Sequence, residues 1–178
     1  MSFWFLLLAF AASLNACRFR LAFPGRPATL ALGSLLALGA GTALALSGRA
    51  LLDALEISPE SFRLAAALVL TVEGARALLS GQPTTASALT GLRAALVPVA
   101  FPLLLQPGVV VLALAAGGDD VSGLAMGALA VALLLVVGTG LLPRGPRAEA
   151  LLAAGGRLLG ALEIVVGVAL AVDALRDV

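Results

Sequence analysis

Apolar residues run along this chain in long blocks, and short polar or Pro/Gly-rich breaks separate them. A helix of about 20 apolar residues crosses the hydrocarbon core of a bilayer. The pattern predicts six such spans, from about Ser2 to Phe23, Ala28 to Leu46, Phe62 to Leu79, Leu92 to Ala116, Ser122 to Leu142 and Leu151 to Leu175. The breaks carry turn residues: "PGRP" from Pro24, "SGQP" from Ser80, "GGDD" from Gly117 and "PRGPR" from Pro143. Nothing between the blocks is long enough for a soluble domain. The reading is a single membrane domain over residues 1–178, an all-α polytopic membrane protein.

Two of the six spans are interrupted. The first contains "NACRFR", which places Asn15, Arg18 and Arg20 in or near the membrane. The fourth contains "LVPVAFPLLLQPGVV", with Pro98, Pro102 and Pro107 followed at once by Gly108. Proline has no N–H and clashes with the carbonyl four residues back. Each therefore leaves backbone groups unpaired, and at membrane depth such groups must be buried in protein or line a cavity. Gly108 allows close backbone approach, and Gln106 can add a side-chain amide. The prediction is a broken helix whose free carbonyls and half-helix ends contact a solute, against the plainer reading of a kinked packing helix.

Composition narrows the class. The chain is 61% hydrophobic and 12% charged, with a mean hydropathy of +1.12, whereas soluble domains average about 45–50% apolar and about 25% charged. The lipid bilayer is the first partner. A net charge of +1 suggests no nucleic-acid role. Histidine, tyrosine and lysine are absent and all basic residues are arginine, a bias of GC-rich bacterial genomes. The lone Cys17 excludes an intramolecular disulfide and a cysteine-based zinc site. Without His, a Ser-Lys pair or a metal cluster, an intramembrane enzyme is the least supported class, and no cofactor or metal is expected. The N-terminal block lacks the basic flank of a signal peptide and reads as the first span.

Six spans place Arg18, Arg20, Arg26, Arg76, Arg93, Arg144 and Arg147 on one side. The other side receives Arg49, Arg63 and Arg176 with Asp53, Glu56, Glu60, Asp119, Asp120, Asp173 and Asp177. Basic loops stay cytoplasmic, so both termini are expected to face away from the cytoplasm.

The third and sixth spans also align. "FRLAAALVLTVEGARA" from Phe62 and "GRLLGALEIVVGVALA" from Gly156 match at one constant offset, Arg63 with Arg157 and Val72 with Val166 among the pairs. A three-span unit used twice has opposite orientations in its copies. The expectation is two inverted repeats, about 1–80 and about 88–178, with the broken spans 1 and 4 in corresponding positions. That arrangement marks transport sites in secondary transporters.

Three segments resemble the MarC family of bacterial inner-membrane proteins, which is related to small neutral amino-acid transporters. In "LEISPESFRLAAALVL", Phe62-Arg63 and Ala66-Ala67 stand at the family's Phe-Arg and Gly-Gly. "ALVPVAFPLLLQPGVV" matches its fourth-span proline pattern, and Asn15 and Phe23 match the ends of its first-span pattern. The resemblance implies a six-span fold and transport of a small, amino-acid-like solute. The chain departs from the pattern at Ala16, Arg18, Leu21 and Gln106, where the family has Pro, Gly, Pro and Gly.

The expected solute pathway is therefore Asn15, Arg18, Pro98, Pro102, Gln106, Pro107 and Gly108. For Asn15 the alternative is an interhelical hydrogen bond, and for Arg18 a cytoplasmic anchor. Two carboxylates stand inside spans, where charges are costly and usually functional or paired. Glu163, without a basic neighbour within a turn, is the candidate coupling group or a cross-helix partner for Arg18 or Arg63; Glu73 has Arg76 at i+3 and reads first as a local ion pair. The function expected is a secondary transporter or exporter of a small solute, with proton coupling through Glu163. The alternative is a non-transporting subunit or scaffold of a larger membrane complex, built on the same fold with an altered site; a homo-oligomer fits either reading.

Overall fold

The structure, a computed structural model, describes residues 1–22, 27–79, 91–140 and 145–177. Phe23, Arg26 and Arg144, named above, lie outside the described residues. All regular structure among the described residues is helical. Helix α1 covers Phe3–Leu14 and α2 Ala16–Ala22; α3 covers Pro27–Ala54 and α4 Pro59–Leu79. A short α5, Gly91–Ala94, runs into an irregular wide-turned stretch over Ala95–Leu104. Then follow α6, Pro107–Gly118, α7, Ser122–Gly140, and α8, Pro146–Arg176.

Four of these units are long and apolar enough to cross a membrane: Phe3–Ala22, Ala28–Ala54, Ser122–Gly140 and Pro146–Arg176. A fifth arises if Ala95–Leu104 and α6, bent by 69° against each other, count as one broken span. Helix α4 has 21 residues, enough for about 30 Å at about 1.5 Å per residue. It falls short on polarity, because Glu60, Arg63, Glu73 and Arg76 interrupt its apolar run.

The prolines explain the broken stretch residue by residue. A residue that precedes proline is pushed out of the helical region towards extended geometry. Val97, before Pro98, has φ −133° and ψ 117°; Phe101, before Pro102, has φ −132° and ψ 129°. Gln106, before Pro107, has φ −75° and ψ 161°. The three prolines thus impose three extended kinks, and the last also starts α6, where a missing N–H at the first helical position costs nothing.

The first span breaks by another route. Asn15 sits in the left-handed region, φ 41° and ψ 65°, which asparagine tolerates better than most residues. Its Oδ1 accepts a hydrogen bond from the Arg18 N–H at 3.2 Å, so it caps the helix that follows.

Helices α4 and α8 form the most extensive pair and pack antiparallel. Arg63 meets Asp173 at one end of the pair, and Gly74 meets Gly160 towards the other. Glycine is required at that seam: a methyl group at Gly74 would stand 2.6 Å from the Gly160 carbonyl oxygen. Such small-residue contacts let helices approach where lipid gives no hydrophobic drive. Helix α1 lies against α7 and α8, while Ala95–Leu104 and α6 lie against α3, and α6 also against α4. Phe10, Leu6, Leu70, Leu104, Leu112, Leu129 and Leu170 fill the interior. The outward faces carry Leu35, Leu68, Leu134 and Leu158, each well over half exposed. A surface so apolar suits contact with lipid rather than water.

Candidate functional site

Both interruptions open onto the same cavity, of about 240 Å³. Ser13, Asn15 and Arg18 line it from the break in the first span, and Leu103 and Gln106 from the broken stretch before α6. Helix α4 contributes Glu73 and Arg76, and α8 contributes Glu163. Several polar groups of a largely apolar bundle are gathered here.

The N-terminal end of α6 forms one wall. The Gly108 N–H, among the first helical donors without an intrahelical partner, donates to Glu73 Oε2 at 2.7 Å. An anion at this end of a helix also meets its favourable dipole. Glu163 is 3% exposed and Ser13 is 2% exposed. The serine hydroxyl lies against the Glu163 carboxylate as its hydrogen-bonding neighbour, in a contact short of full hydrogen-bond geometry; apart from each other, Ser13 Oγ and Glu163 Oε1 have no partner. A methyl group on Gly108 would stand 2.5 Å from Glu73 Oε2 and 3.1 Å from both Glu163 Oε1 and Ser13 Oγ. Three oxygens from three helices therefore surround one point.

The expected pathway residues divide into two groups. Asn15, Arg18 and Gln106 line the cavity, and Gly108 reaches it through Glu73. The Asn15 amide is bonded at both ends, because Nδ2 donates to the Gly156 carbonyl of α8 at 2.8 Å while Oδ1 caps α2, which leaves it a second N–H. Arg18 is half-buried, and its methylenes lie against Gly156. Pro102 and Pro107 are exposed and do not line the cavity; the Pro98 side chain lies outside the described residues. The prolines act on the site through the backbone by ending one helix and starting the next. Glu73 feels the Arg76 charge three residues on, but its hydrogen bond goes to Gly108. The partner that matters is 35 residues away in sequence, beyond the reach of a local i,i+3 reading.

A second polar cluster occupies the far end of α4. Arg63, 6% exposed, is the hub: its guanidinium pairs with Asp177 at 2.6 Å and Asp173 at 3.2 Å. Asp119, which ends α6, and Glu60 are each 3.8 Å away. Burial pushes the Asp119 carboxyl above the usual carboxylate range, with Arg63 opposing the shift. Asp119 also lies within electrostatic reach of the N-terminal amine, so both chain ends meet at this face. Nearby Arg49 pairs with Asp120. The sequence marks Arg63 as a surface or loop residue. It gives no sign that acids from α6 and α8 converge on it, because those lie 56 to 114 positions on. Among the described residues no group of three or more Cys, Asp or Glu side chains could hold a metal ion.

No family model, no curated protein and no solved structure matches the chain.

Proposed function

We propose that this chain is a MarC-like protein of the bacterial inner membrane, a secondary transporter or exporter of a small, amino-acid-like solute with Glu163 as its coupling group. The observation that carries the proposal is one partly open cavity on which two interrupted helices end, one from each half of the chain. Polar groups in an apolar bundle are expensive unless paired or functional, and here Glu163 Oε1 has no partner apart from the Ser13 hydroxyl. Broken spans that meet at a polar cavity are the arrangement in which transporters hold their solutes.

Six spans follow if α4 is counted with the five apolar units. Its Arg63 and Glu73 are turned to partners within the protein, which lowers the cost of burying them. An even count also agrees with two termini at one face. The packing supports two inverted repeats. The first span packs on the fifth and sixth as the fourth packs on the second and third, a pattern that survives exchange of the halves. The antiparallel α4 and α8 put Arg63 and Arg157 at opposite ends, as inversion of a shared segment requires. The arginine bias puts the termini outside the cytoplasm.

Flux of radiolabelled small amino acids and related metabolites into proteoliposomes tests the proposal. Uptake by the wild-type chain that falls at least tenfold in Glu163→Gln supports it. No flux across a broad solute panel removes it. The structural bonds of the Asn15 amide to Gly156 and Arg18 favour the second reading, a non-transporting subunit with an altered site. Stable co-purification with a larger membrane complex, without flux, would establish that reading instead.

A further inference from the structure

We infer that Ser13, Glu73 and Glu163 form a binding site for one monovalent cation, a proton or a sodium ion, at the N-terminal end of α6. The site lies within the cavity on which the transport reading rests, but its argument concerns charge and hydrogen bonding alone.

Glu73 Oε2, Glu163 Oε1 and Ser13 Oγ surround a single point beside Gly108. The backbone donor there is already committed, because the Gly108 N–H serves Glu73. Glu163 Oε1 and Ser13 Oγ are both buried, and each has only the other as a hydrogen-bonding neighbour, in a contact short of full hydrogen-bond geometry. A buried polar atom left unpaired costs about 1–3 kcal/mol, and more when charged. Two carboxylates so close together also repel, and the dipole of a helix end supplies at most about half a charge.

The other charged groups that face this point are Arg18 from α2 and Arg76 from α4. Neither forms an ion pair with Glu163 among the described residues. Helix α1 presents Ser13 and α6 presents only its backbone. One positive charge among the three oxygens offsets the charge of the two carboxylates and relieves their repulsion. A proton needs two of these oxygens, and a sodium ion can complete its shell with cavity water.

The test is thermal unfolding of the purified full-length chain in lipid nanodiscs. One arm exchanges choline for sodium at fixed ionic strength and pH; the other lowers pH without sodium. Ligand bound only to the folded state raises the melting temperature. A rise on the order of 5 °C is expected near a hundredfold excess over Kd. A sodium response that Glu163→Gln abolishes identifies sodium, and a pH response that Glu163→Gln reduces identifies the proton. Glu73→Gln, which removes the second carboxylate, serves if Glu163→Gln fails to fold. Identical responses of wild type and variant in both arms, or no wild-type response in either, would overturn the site. Transport is not read out, so an inactive solute panel leaves the ion site standing, and flat melting curves leave the flux result to be judged separately.

Discussion

Replacing Gly108 by alanine is the smallest change that reaches the centre of the site. The added methyl would sit 2.5 Å from Glu73 Oε2 and 3.1 Å from Glu163 Oε1 and Ser13 Oγ. Glu73 is the end of a flexible side chain and is the one that yields. Its retreat breaks the hydrogen bond from the Gly108 N–H, a charge-assisted contact worth about 1.5–3 kcal/mol. The residual crowding against the buried Glu163 and Ser13 adds a cost of the overpacking kind, about 1–3 kcal/mol at full strength and less after relaxation. Against this, alanine is a better helix former than glycine by about 1 kcal/mol in a helix interior, and by less in the first turn. The balance is a loss of about 2 kcal/mol, or roughly 4–8 °C in melting temperature for a chain of this size. Gly39→Ala is the matched control, because it lies within α3 with nothing inside 4 Å of the added atom. It should leave the melting temperature unchanged or raise it. Melts followed by circular dichroism of the purified chain decide the matter. If Gly108→Ala melts at or above wild type while Gly39→Ala behaves as stated, the convergence of three oxygens on this backbone is wrong.

Asn15→Ala loses the amide bonds to Gly156 and Arg18 and puts a residue with no polar side chain in the left-handed region, for a cost of about 2–3 kcal/mol. Asn15→Gly loses the same bonds without the backbone penalty, so denaturation should rank glycine between wild type and alanine; the reverse order would refute the cap. Arg63→Ala leaves Asp119 buried beside other acids and should cost about 3 kcal/mol, at the low end for a broken buried pair because Asp173 and Asp177 are half exposed. Protease cleavage at the end of α8 should accelerate in that variant, and unchanged cleavage would count against the hub. In a Cys17→Ser background, single cysteines at Ser2 and Asp177 should both react with an impermeant thiol reagent from the same side of oriented vesicles. Labelling from opposite sides would exclude an even number of spans.

Much of this protein is decided by local chemistry. Helical blocks of membrane length follow from runs of apolar residues, because in lipid each backbone group must be paired within its own segment. The kinks at Val97, Phe101 and Gln106 follow from the prolines after them, a steric effect between adjacent residues. The apolar blocks alone count α4 as a span, but its four charged residues separate it from the four helices that qualify by composition.

What the tertiary structure alone decided is partnership. Glu73 looks towards Arg76 in sequence and is bonded to Gly108 in space. Asn15 reads in sequence as either a solute ligand or an interhelical bond, and the structure bonds it to Gly156 of α8. Ser13 carries no signal among the small residues of the first span, and Arg63 gives no hint of the acids that gather around it from α6 and α8. Pro102 and Pro107, from the loudest feature of the sequence, do not line the cavity; they position the backbone that does. The reason is physical. Helix formation and breakage depend on neighbours a few residues apart. The pairing of a buried charge depends on which helices pack together, and in lipid that is set by small-residue seams such as Gly74 against Gly160.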